Sequence, residues 1–149
     1  MSLKKEIYCH SLGCKMGFAI KGILRLLRQR FNEEKLSLTV EQYFLLNILE
    51  NKEGLILQEL ADIVDKDKSA VTRHINSLEE NHFIARAKDP EDKRRKILLM
   101  TKPGLNVLEQ ARKIDEEINN ELTSQISDSE LQKLEKIVSD IYQFTISKS

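Results

Sequence analysis

The sequence predicts a mainly α-helical fold with a small β-hairpin (α+β class), arranged as a winged helix-turn-helix core with long dimerisation helices at both ends. Helical apolar periodicity covers most of the chain, residues 55–82 contain two short helices joined by a tight turn, and two short apolar runs beyond them can pair as a hairpin. We expect one domain over residues 1–149, with the winged core at 35–104 and helical dimerisation regions at 1–34 and 105–149.

The N-terminal region predicts a first long helix, because apolar residues keep helical spacing from Leu12 to about Phe31. Its glycines are unusual, since a glycine in a helix interior destabilises it by roughly 1 kcal/mol relative to alanine. Gly13 and Gly17 lie one turn apart and Gly22 follows. The first two indicate either a close backbone approach at a dimer interface or a helix that begins later.

Capping signals open three further helices. Thr39 and Gln42 have the spacing of a capping box at the start of a second helix. Thr101 can cap a long fifth helix, and Ser127 with Glu130 forms another capping box before a sixth. The residues predicted to face inward are Phe44, Leu45, Ile48 and Leu49 in the second helix, Leu108, Ala111, Ile114, Ile118 and Leu122 in the fifth, and Leu131, Leu134, Val138, Ile141 and Phe144 in the sixth.

The outer helices are too long to bury all these stripes on so small a winged core. We expect them to bury the stripes against a second copy, which predicts a homodimer through 1–34 and 105–149. The alternative is a monomeric helical bundle that packs on itself. Helix-turn-helix proteins regularly act as twofold dimers, which favours the first interpretation.

Residues 55–82 predict the helix-turn-helix itself. Asp67 is a natural N-cap for the second short helix, because its carboxylate can accept from exposed N–H groups of the first turn. The inward stripes are Leu57, Leu60, Ala61 and Val64 in the first short helix, and Val71, Ile75 and Leu78 in the second.

The second short helix has a polar outward face with no acidic residue before Glu79. Hydroxyl groups and cations donate to phosphates, whereas amide and guanidinium groups read base edges in the major groove. An isolated helix of this kind could equally present a solvated face, but the basic hairpin beyond it favours DNA binding. The predicted residues are Ser69, Thr72, Arg73 and Asn76 at the major groove, with Lys68 at phosphates.

The hairpin beyond this helix has a strongly basic tip. Asp89-Pro90 is a turn signal, and apolar runs at 83–85 and 97–100 can form the two strands. Like charges crowded at a tip repel one another unless a polyanion neutralises them. We therefore predict that the tip contacts double-stranded DNA through Lys93, Arg94, Arg95 and Lys96.

These motifs closely resemble the MarR family of bacterial winged-helix regulators, over nearly the whole chain. The matching residues are Leu60-Ala61, Ser69-Ala70-Val71-Thr72-Arg73, Leu78-Glu79, Asp92-x-Arg94 and Leu98-x-Met100-Thr101-x-x-Gly104, with Met100 in place of a usual leucine. The resemblance implies a homodimeric DNA-binding regulator, often released from its operator by a small molecule or by oxidation.

The resemblance also implies residue roles and shows departures. Arg94 would enter the minor groove, and Asp92 would support the wing. After the recognition helix, where the family usually has glycine, this chain has Asn81-His82. In the turn, where the family often has glycine, it has Asp65. Asn, Asp and His tolerate a left-handed backbone best among non-glycine residues, so we expect the fold to be unchanged.

A small-molecule effector site is a further expectation. Phe18, Tyr43 and Phe44 are the aromatic residues nearest the junction of the first and fifth helices, and Arg25 and Arg28 could pair with an anion. Apolar walls with a few cations suit an aromatic carboxylate such as salicylate. The alternative is that the aromatic residues are core and the arginines are solvated.

Cys9 and Cys14 are the only cysteines. Five residues apart on a helix they would point about 140° from each other, so we expect no intramolecular bridge. They are expected to be inert cytosolic thiols. The sharper alternative is a peroxide sensor, because one branch of the MarR family has a reactive cysteine early in its first helix.

Other functional classes find little support in the sequence. Formal net charge is zero, but the acidic excess lies in 105–149 and leaves the wing locally positive. His10, His74 and His82 are scattered, so no metal site is expected, and no catalytic motif or cofactor signature predicts an enzyme. With no membrane-spanning or signal segment, we expect a cytoplasmic protein. The competing class is a winged helix that docks a protein instead of DNA.

Overall fold

The structure is a computed structural model that describes residues 9–148, which are mostly helical with one antiparallel hairpin. The predicted fold class is confirmed. Packing divides these residues into two compact units, one ending at Ile114 and the other beginning at Asp115. No helix in this part of the chain is long and apolar enough to cross a membrane. The elements are α1 Leu12–Glu33, α2 Val40–Asn51, α3 Leu57–Ile63, α4 Lys68–Glu80, β1 Ile84–Lys88, β2 Lys96–Met100, α5 Lys102–Thr123 and α6 Asp128–Ile146.

Helix α1 begins where the apolar periodicity begins. Ser11 is its N-cap, and the Ser11 hydroxyl accepts a hydrogen bond from the Cys14 N–H at 3.2 Å. The helix therefore includes Gly13 and Gly17, and the alternative that it begins beyond them is wrong. A Cβ atom on either glycine would meet no atom within 4 Å, so neither makes a close approach within the described chain.

Helix α2 opens with the predicted capping box but turns a different aromatic residue inward. The Thr39 hydroxyl accepts the Gln42 N–H at 3.2 Å, and the Gln42 side chain accepts the Thr39 N–H at 2.9 Å. The sequence predicts that Phe44 faces inward, yet its side chain is 45% exposed. Tyr43 is buried instead, edge-on to Phe31 with ring centroids 5.8 Å apart. Because α2 is apolar on most of its surface, spacing alone does not determine which face meets the core.

The helix-turn-helix packs by the predicted stripes. In α3 the buried residues are Leu60 and Ala61, and in α4 they are Val71, Ile75 and Leu78. Since these α4 residues share one face, the opposite face of α4 is directed away from the core.

The connections around α4 agree with most of the predicted backbone geometry. Asp65 and His82 adopt left-handed conformations, with φ of 48° and 60°, as expected for residues that replace glycine. Asn81 does not, since its φ is −82°. Asp67 is the N-cap residue, but the predicted side-chain cap is absent. Its main-chain carbonyl accepts the Ala70 N–H at 3.1 Å, while its carboxylate stays in solvent.

The hairpin forms as predicted, and the outer edge of β2 pairs with the segment before α3. β1 and β2 pair antiparallel with Ile84 opposite Met100. On the other side of β2, the Leu98 N–H donates to the Leu55 carbonyl at 2.8 Å. This contact joins the chain before α3 to the wing, so the hairpin is held to the helix-turn-helix on both of its edges.

Helix α5 is fixed to α2 by a polar contact. The Arg112 guanidinium donates to both carboxylate oxygens of Glu50 and to the Asn47 side-chain oxygen, at 2.8 Å from Nη2. The hydrogen bond from Arg112 holds the pKa of the Glu50 carboxyl below its usual range. Of the predicted α5 stripe, the buried residues are Leu108, Ala111, Ile114 and Ile118, whereas Leu122 is exposed.

The end helices leave large apolar side chains in solvent. Helix α6 opens with the predicted capping box of Ser127 and Glu130, but none of its residues is buried. The predicted inward residues Leu134, Val138 and Phe144 are therefore exposed within one protomer. The exposed large apolar residues of these helices are Leu12, Phe18, Ile20 and Ile23 on α1 and Leu134, Ile137, Val138, Tyr142, Phe144 and Ile146 on α6.

Gly104 sits at the tightest junction between the wing and α5. Thr101 caps α5 as predicted, because its hydroxyl accepts the Gly104 N–H at 3.1 Å. A Cβ atom on Gly104 would lie 2.0 Å from the Phe83 carbonyl oxygen and 2.9 Å from the Met100 sulfur. The glycine of the Thr-x-x-Gly motif is therefore required by space.

We expect Gly104→Ala to lower the free energy of unfolding by about 1–3 kcal/mol, because the added methyl group must displace main-chain atoms of Phe83. Gly22→Ala is the matched control. Its Cβ would only touch the Arg25 side chain at 3.9 Å, so helix propensity should stabilise the protein by up to about 1 kcal/mol. Urea denaturation at one protein concentration measures both. A Gly104→Ala protein as stable as the wild type would contradict the packing described here.

Candidate nucleic-acid interface

The outward face of α4 is polar and accessible. Lys68, Ser69, Arg73 and Asn76 are exposed, and Thr72 is half-buried. The Thr72 hydroxyl donates back to the Lys68 carbonyl at 2.7 Å, so only its lone pairs are available outward. The residues predicted for the major groove thus share one helix face, with donors on Ser69, Arg73 and Asn76.

Arg86 on β1 connects this face to the hairpin, and the sequence interpretation did not include it. Its Nη2 donates to the Asn76 side-chain oxygen at 2.7 Å, and its Nη1 donates to a Glu79 carboxylate oxygen at 2.6 Å. A signal was present in the sequence, because alternation along β1 places Arg86 on the same face as the buried Ile84. A cation on the inner face of a strand needs a partner.

The wing loop between the strands is shaped by two aspartates. The Asp89 carboxylate accepts the Glu91 N–H at 2.9 Å. The Asp92 carboxylate accepts the Arg94 N–H at 3.0 Å, and the Asp92 carbonyl accepts the Arg95 N–H at 2.9 Å. Asp92 therefore holds the backbone at Arg94 and Arg95.

The four predicted wing cations do not all point to solvent in the same way. The Arg95 guanidinium turns back to the protein, 3.1 Å from the Glu59 carboxylate and 3.8 Å from Asp89. The Arg95 side chain stays exposed beside these carboxylates, so its place in the DNA-contacting set stays a prediction. Lys93 and Arg94 are exposed at the tip, with no carboxylate partner within the described chain.

Lys96 lies in β2 rather than in the loop, beside a cation that the sequence interpretation did not include. The strand register places Lys96 directly opposite Lys88 of β1. Like charges opposite each other across a strand pair are destabilising. Both residues are exposed, so the pair raises the positive potential beside the wing tip.

The residues predicted for an effector pocket do not line one cavity. Arg28 lines a cavity of about 460 Å³ with the α1–α2 loop and the end of α4, where it pairs with Glu41 at 3.0 Å. Although burial opposes it, the hydrogen bond and charge of Arg28 hold the pKa of the Glu41 carboxyl below its usual range. Tyr43 is core, while Phe18 and Arg25 are exposed on α1.

Phe44 lines a second, smaller cavity between α2 and the helix-turn-helix. This cavity of about 260 Å³ has mainly apolar walls. Its charged and polar lining residues are Glu41, Lys66 and His74, and Val71 of α4 forms part of the wall. Of the predicted effector residues, Phe44 therefore lines a cavity that α4 also lines.

Cys9 and Cys14 form a disulfide, with their Cα atoms 5.7 Å apart. The prediction that they would not bridge is wrong, and the reason is local. Because α1 begins at Leu12, Cys9 precedes the helix and the angular spacing of a helix does not apply to it. A disulfide is the oxidised state of a thiol pair, so the peroxide-sensor alternative stays a prediction.

The histidines stay apart, as their sequence spacing indicates. His10 is exposed, His82 occupies the turn after α4, and His74 lines the smaller cavity. Within residues 9–148 no cluster of His, Cys, Asp and Glu could hold a metal ion.

The chain is similar to known regulators in sequence and fold. The model of the MarR family matches residues 38–96. The chain is 28% identical to a transcriptional regulatory protein for the hcr operon of Thauera aromatica. The match covers 93% of this chain and 85% of that protein. It is 30% identical to the HTH-type transcriptional regulator BilQ of Clostridioides difficile. This match covers 70% of this chain and 72% of that protein. A mutant MarR from Escherichia coli complexed with operator DNA has the same fold, with a TM-score of 0.76 and 24% identity over 95% of this chain and 99% of that chain.

Proposed function

The chain belongs to the MarR family of transcriptional regulators, and we propose that it binds a pseudo-palindromic operator in double-stranded DNA as a homodimer and acts as a repressor. The observation that carries this proposal is the exposed face of α4, which combines hydroxyl, guanidinium and amide groups with no carboxylate before Glu79. Arg86 ties that face to β1, so helix and wing would approach DNA as one body. A dimer seated on an operator would exclude other proteins from the same DNA.

The two elements would read DNA differently. Helix α4 would enter the major groove, which is wide enough for a helix, with Arg73 and Asn76 at base edges. Lys68 and Ser69, in its first turn, would contact phosphates. The wing would follow the backbone through Lys93 and place Arg94 in the minor groove, where negative potential is concentrated at A·T-rich sequences.

The homodimer is supported by the apolar surface of the end helices. Single exposed apolar residues are normal, but α1 and α6 expose ten large ones between them: four on α1 and six on α6. A second copy would cover them by a twofold interface, in which each protomer contributes the same surface. The two α4 helices would then lie about 34 Å apart, matching one turn of DNA.

We also propose that a small aromatic acid releases the protein from DNA by entering the cavity lined by Phe44, Lys66 and His74. Apolar walls with few polar groups at the edge fit such a ligand. Val71 of α4 forms part of the wall, so a bound ligand would press on the recognition helix. Its effect on DNA affinity would equal its preference for the DNA-incompetent state.

For DNA binding, we expect Arg94→Ala to weaken operator affinity, most of all at sites with A·T-rich flanks, and to reduce the salt slope of binding by about 0.9 for each phosphate that it no longer neutralises. Arg95→Ala is the matched control, because it removes the same charge from the wing at a guanidinium that already pairs with Glu59. It should keep the salt slope of the wild type while lowering the free energy of unfolding by at most about 1 kcal/mol. Fluorescence anisotropy at several salt concentrations measures the slopes. Equal slopes for the wild type and Arg94→Ala would rule out the wing assignment, and a wild type that binds no duplex DNA would favour a protein-docking module.

For the dimer, we expect sedimentation of the wild type to show a stable dimer at micromolar concentration. Val138→Glu should shift it toward monomer, because Val138 is exposed on the apolar surface of α6 in a single protomer. Ser139→Glu adds the same charge at the neighbouring exposed position and should leave the dimer intact. A monomeric wild type, both free and on DNA, would contradict the homodimer.

For the effector, titrating salicylate into the operator complex should release DNA, and bound operator should weaken salicylate binding by the same factor. Lys66→Gln should reduce this release by removing the cation at the cavity edge, whereas Lys52→Gln, outside the cavity, should not. The cavity assignment fails if both variants respond to salicylate as the wild type does.

A further inference from the structure

We propose that Arg86 determines which bases Asn76 accepts, by fixing the orientation of the Asn76 side-chain amide. This inference rests on the proposed DNA binding and adds a specificity-determining residue to it. Arg86 would act through Asn76 and need not touch DNA itself, so it is a positioning residue.

The orientation of the Asn76 amide follows from the chemistry of its partner. An asparagine amide has an oxygen at one end and a nitrogen at the other, and either could face a neighbour. A guanidinium group has only donors, so the Asn76 atom 2.7 Å from Arg86 Nη2 must be the oxygen. The amide nitrogen of Asn76 is then turned away from Arg86, and it has no acceptor within the described chain.

Glu79 fixes Arg86 in turn. Its carboxylate accepts from Arg86 Nη1 at 2.6 Å, so two nitrogens of one planar group are held by two residues of α4. Glu79 lies one turn after Asn76, on the same side of the helix. Lysine has a single ammonium group and cannot hold two acceptors in this fixed fork. The arrangement therefore requires arginine.

A fixed amide has a defined preference among base edges. In the major groove guanine offers N7 and O6, adenine offers N7 and thymine offers O4 as acceptors, whereas cytosine offers a donor at N4. The Asn76 amide nitrogen, as a donor, suits the first three and disfavours cytosine. Reversal of the amide would place its N–H groups against the Arg86 guanidinium, so cytosine cannot be accommodated by a simple flip.

The experiment is a selection of bound fragments from random duplex DNA, followed by affinities for the four base pairs at each operator position. Asn76→Ala identifies the base pair that Asn76 reads as the position where discrimination disappears. At that position the wild type should disfavour cytosine by about 5- to 150-fold, the range for a direct base contact. Arg86→Lys should reduce this ratio toward that of Asn76→Ala. A ratio of affinities for two base pairs at one operator position is unaffected by a change in electrostatic attraction that is common to all sequences.

Two further variants sharpen the test. Glu79→Gln is the matched control, because it removes a charge but keeps the Arg86–Asn76 hydrogen bond, and it should retain more of the discrimination than Arg86→Lys does. Asn76→Asp keeps a partner for Arg86 but presents an acceptor, so its preference should move toward cytosine. This variant leaves Arg86 in place and stays informative where Arg86→Lys fails to fold.

The inference is overturned if Arg86→Lys keeps the wild-type ratio, or if it changes the ratio equally in an Asn76→Ala background, since Arg86 would then not act through Asn76. An equal decrease in affinity for every sequence, with a smaller salt slope, would make Arg86 a phosphate contact instead. If the wild type binds duplex DNA but Asn76→Ala selects the same sequences as the wild type, this inference is wrong and the proposed function stands. Absence of duplex binding by the wild type defeats the proposed function.

Discussion

The burial of one face of α4 is the constraint on which the rest of the structure depends. Val71, Ile75 and Leu78 are at most 1% exposed, and each fully buried aliphatic side chain stabilises the fold by about 1.5–3 kcal/mol. Because a helix is rigid, burying this face determines what the opposite face presents. Arg73 and Asn76 are therefore placed in solvent by the packing of the buried face. A charged substitution in the buried stripe would disturb the outward face of α4 as well as the core.

Some cations of the wing pair with other side chains of the protein, and others remain exposed at its tip. Arg95 directs its guanidinium to Glu59 and Asp89, and Arg86 directs its own to Glu79 and Asn76. These pairs are partly exposed, and each stabilises the protein only slightly. Their main effect is to orient the Arg86 and Arg95 side chains. Arg94 keeps its charge at the tip, on a backbone that Asp92 holds. Arg86 and Arg95 thus pair with residues of the same chain, whereas Arg94 has no such partner within the described residues.

Sequence periodicity predicted the parts of the fold that depend on neighbours along the chain. The capping boxes, the α4 stripe and the hairpin are all encoded within a few residues, and the structure reproduces them. What it could not predict depends on distant residues. The pairing of Arg95 with Glu59 joins positions 36 apart, and nothing in the local pattern distinguishes Arg95 from Arg94. The cysteine prediction failed differently, because it assumed a helix at Cys9 that begins only at Leu12.

On a twofold DNA site, the apolar end helices and the outward face of α4 would be linked energetically. One protomer presents one α4 and one wing, which is enough for half of a pseudo-palindrome. If a second head is held at the correct spacing, its binding becomes intramolecular, and the gain comes from effective concentration without any additional DNA-binding residue in either head. The exposed residues of α1 and α6, such as Phe18 and Val138, would then contribute to DNA affinity although they lie on helices with no part in base recognition. A change that alters how the two copies pack would weaken binding by misplacing the heads, even with every side chain of α4 unchanged.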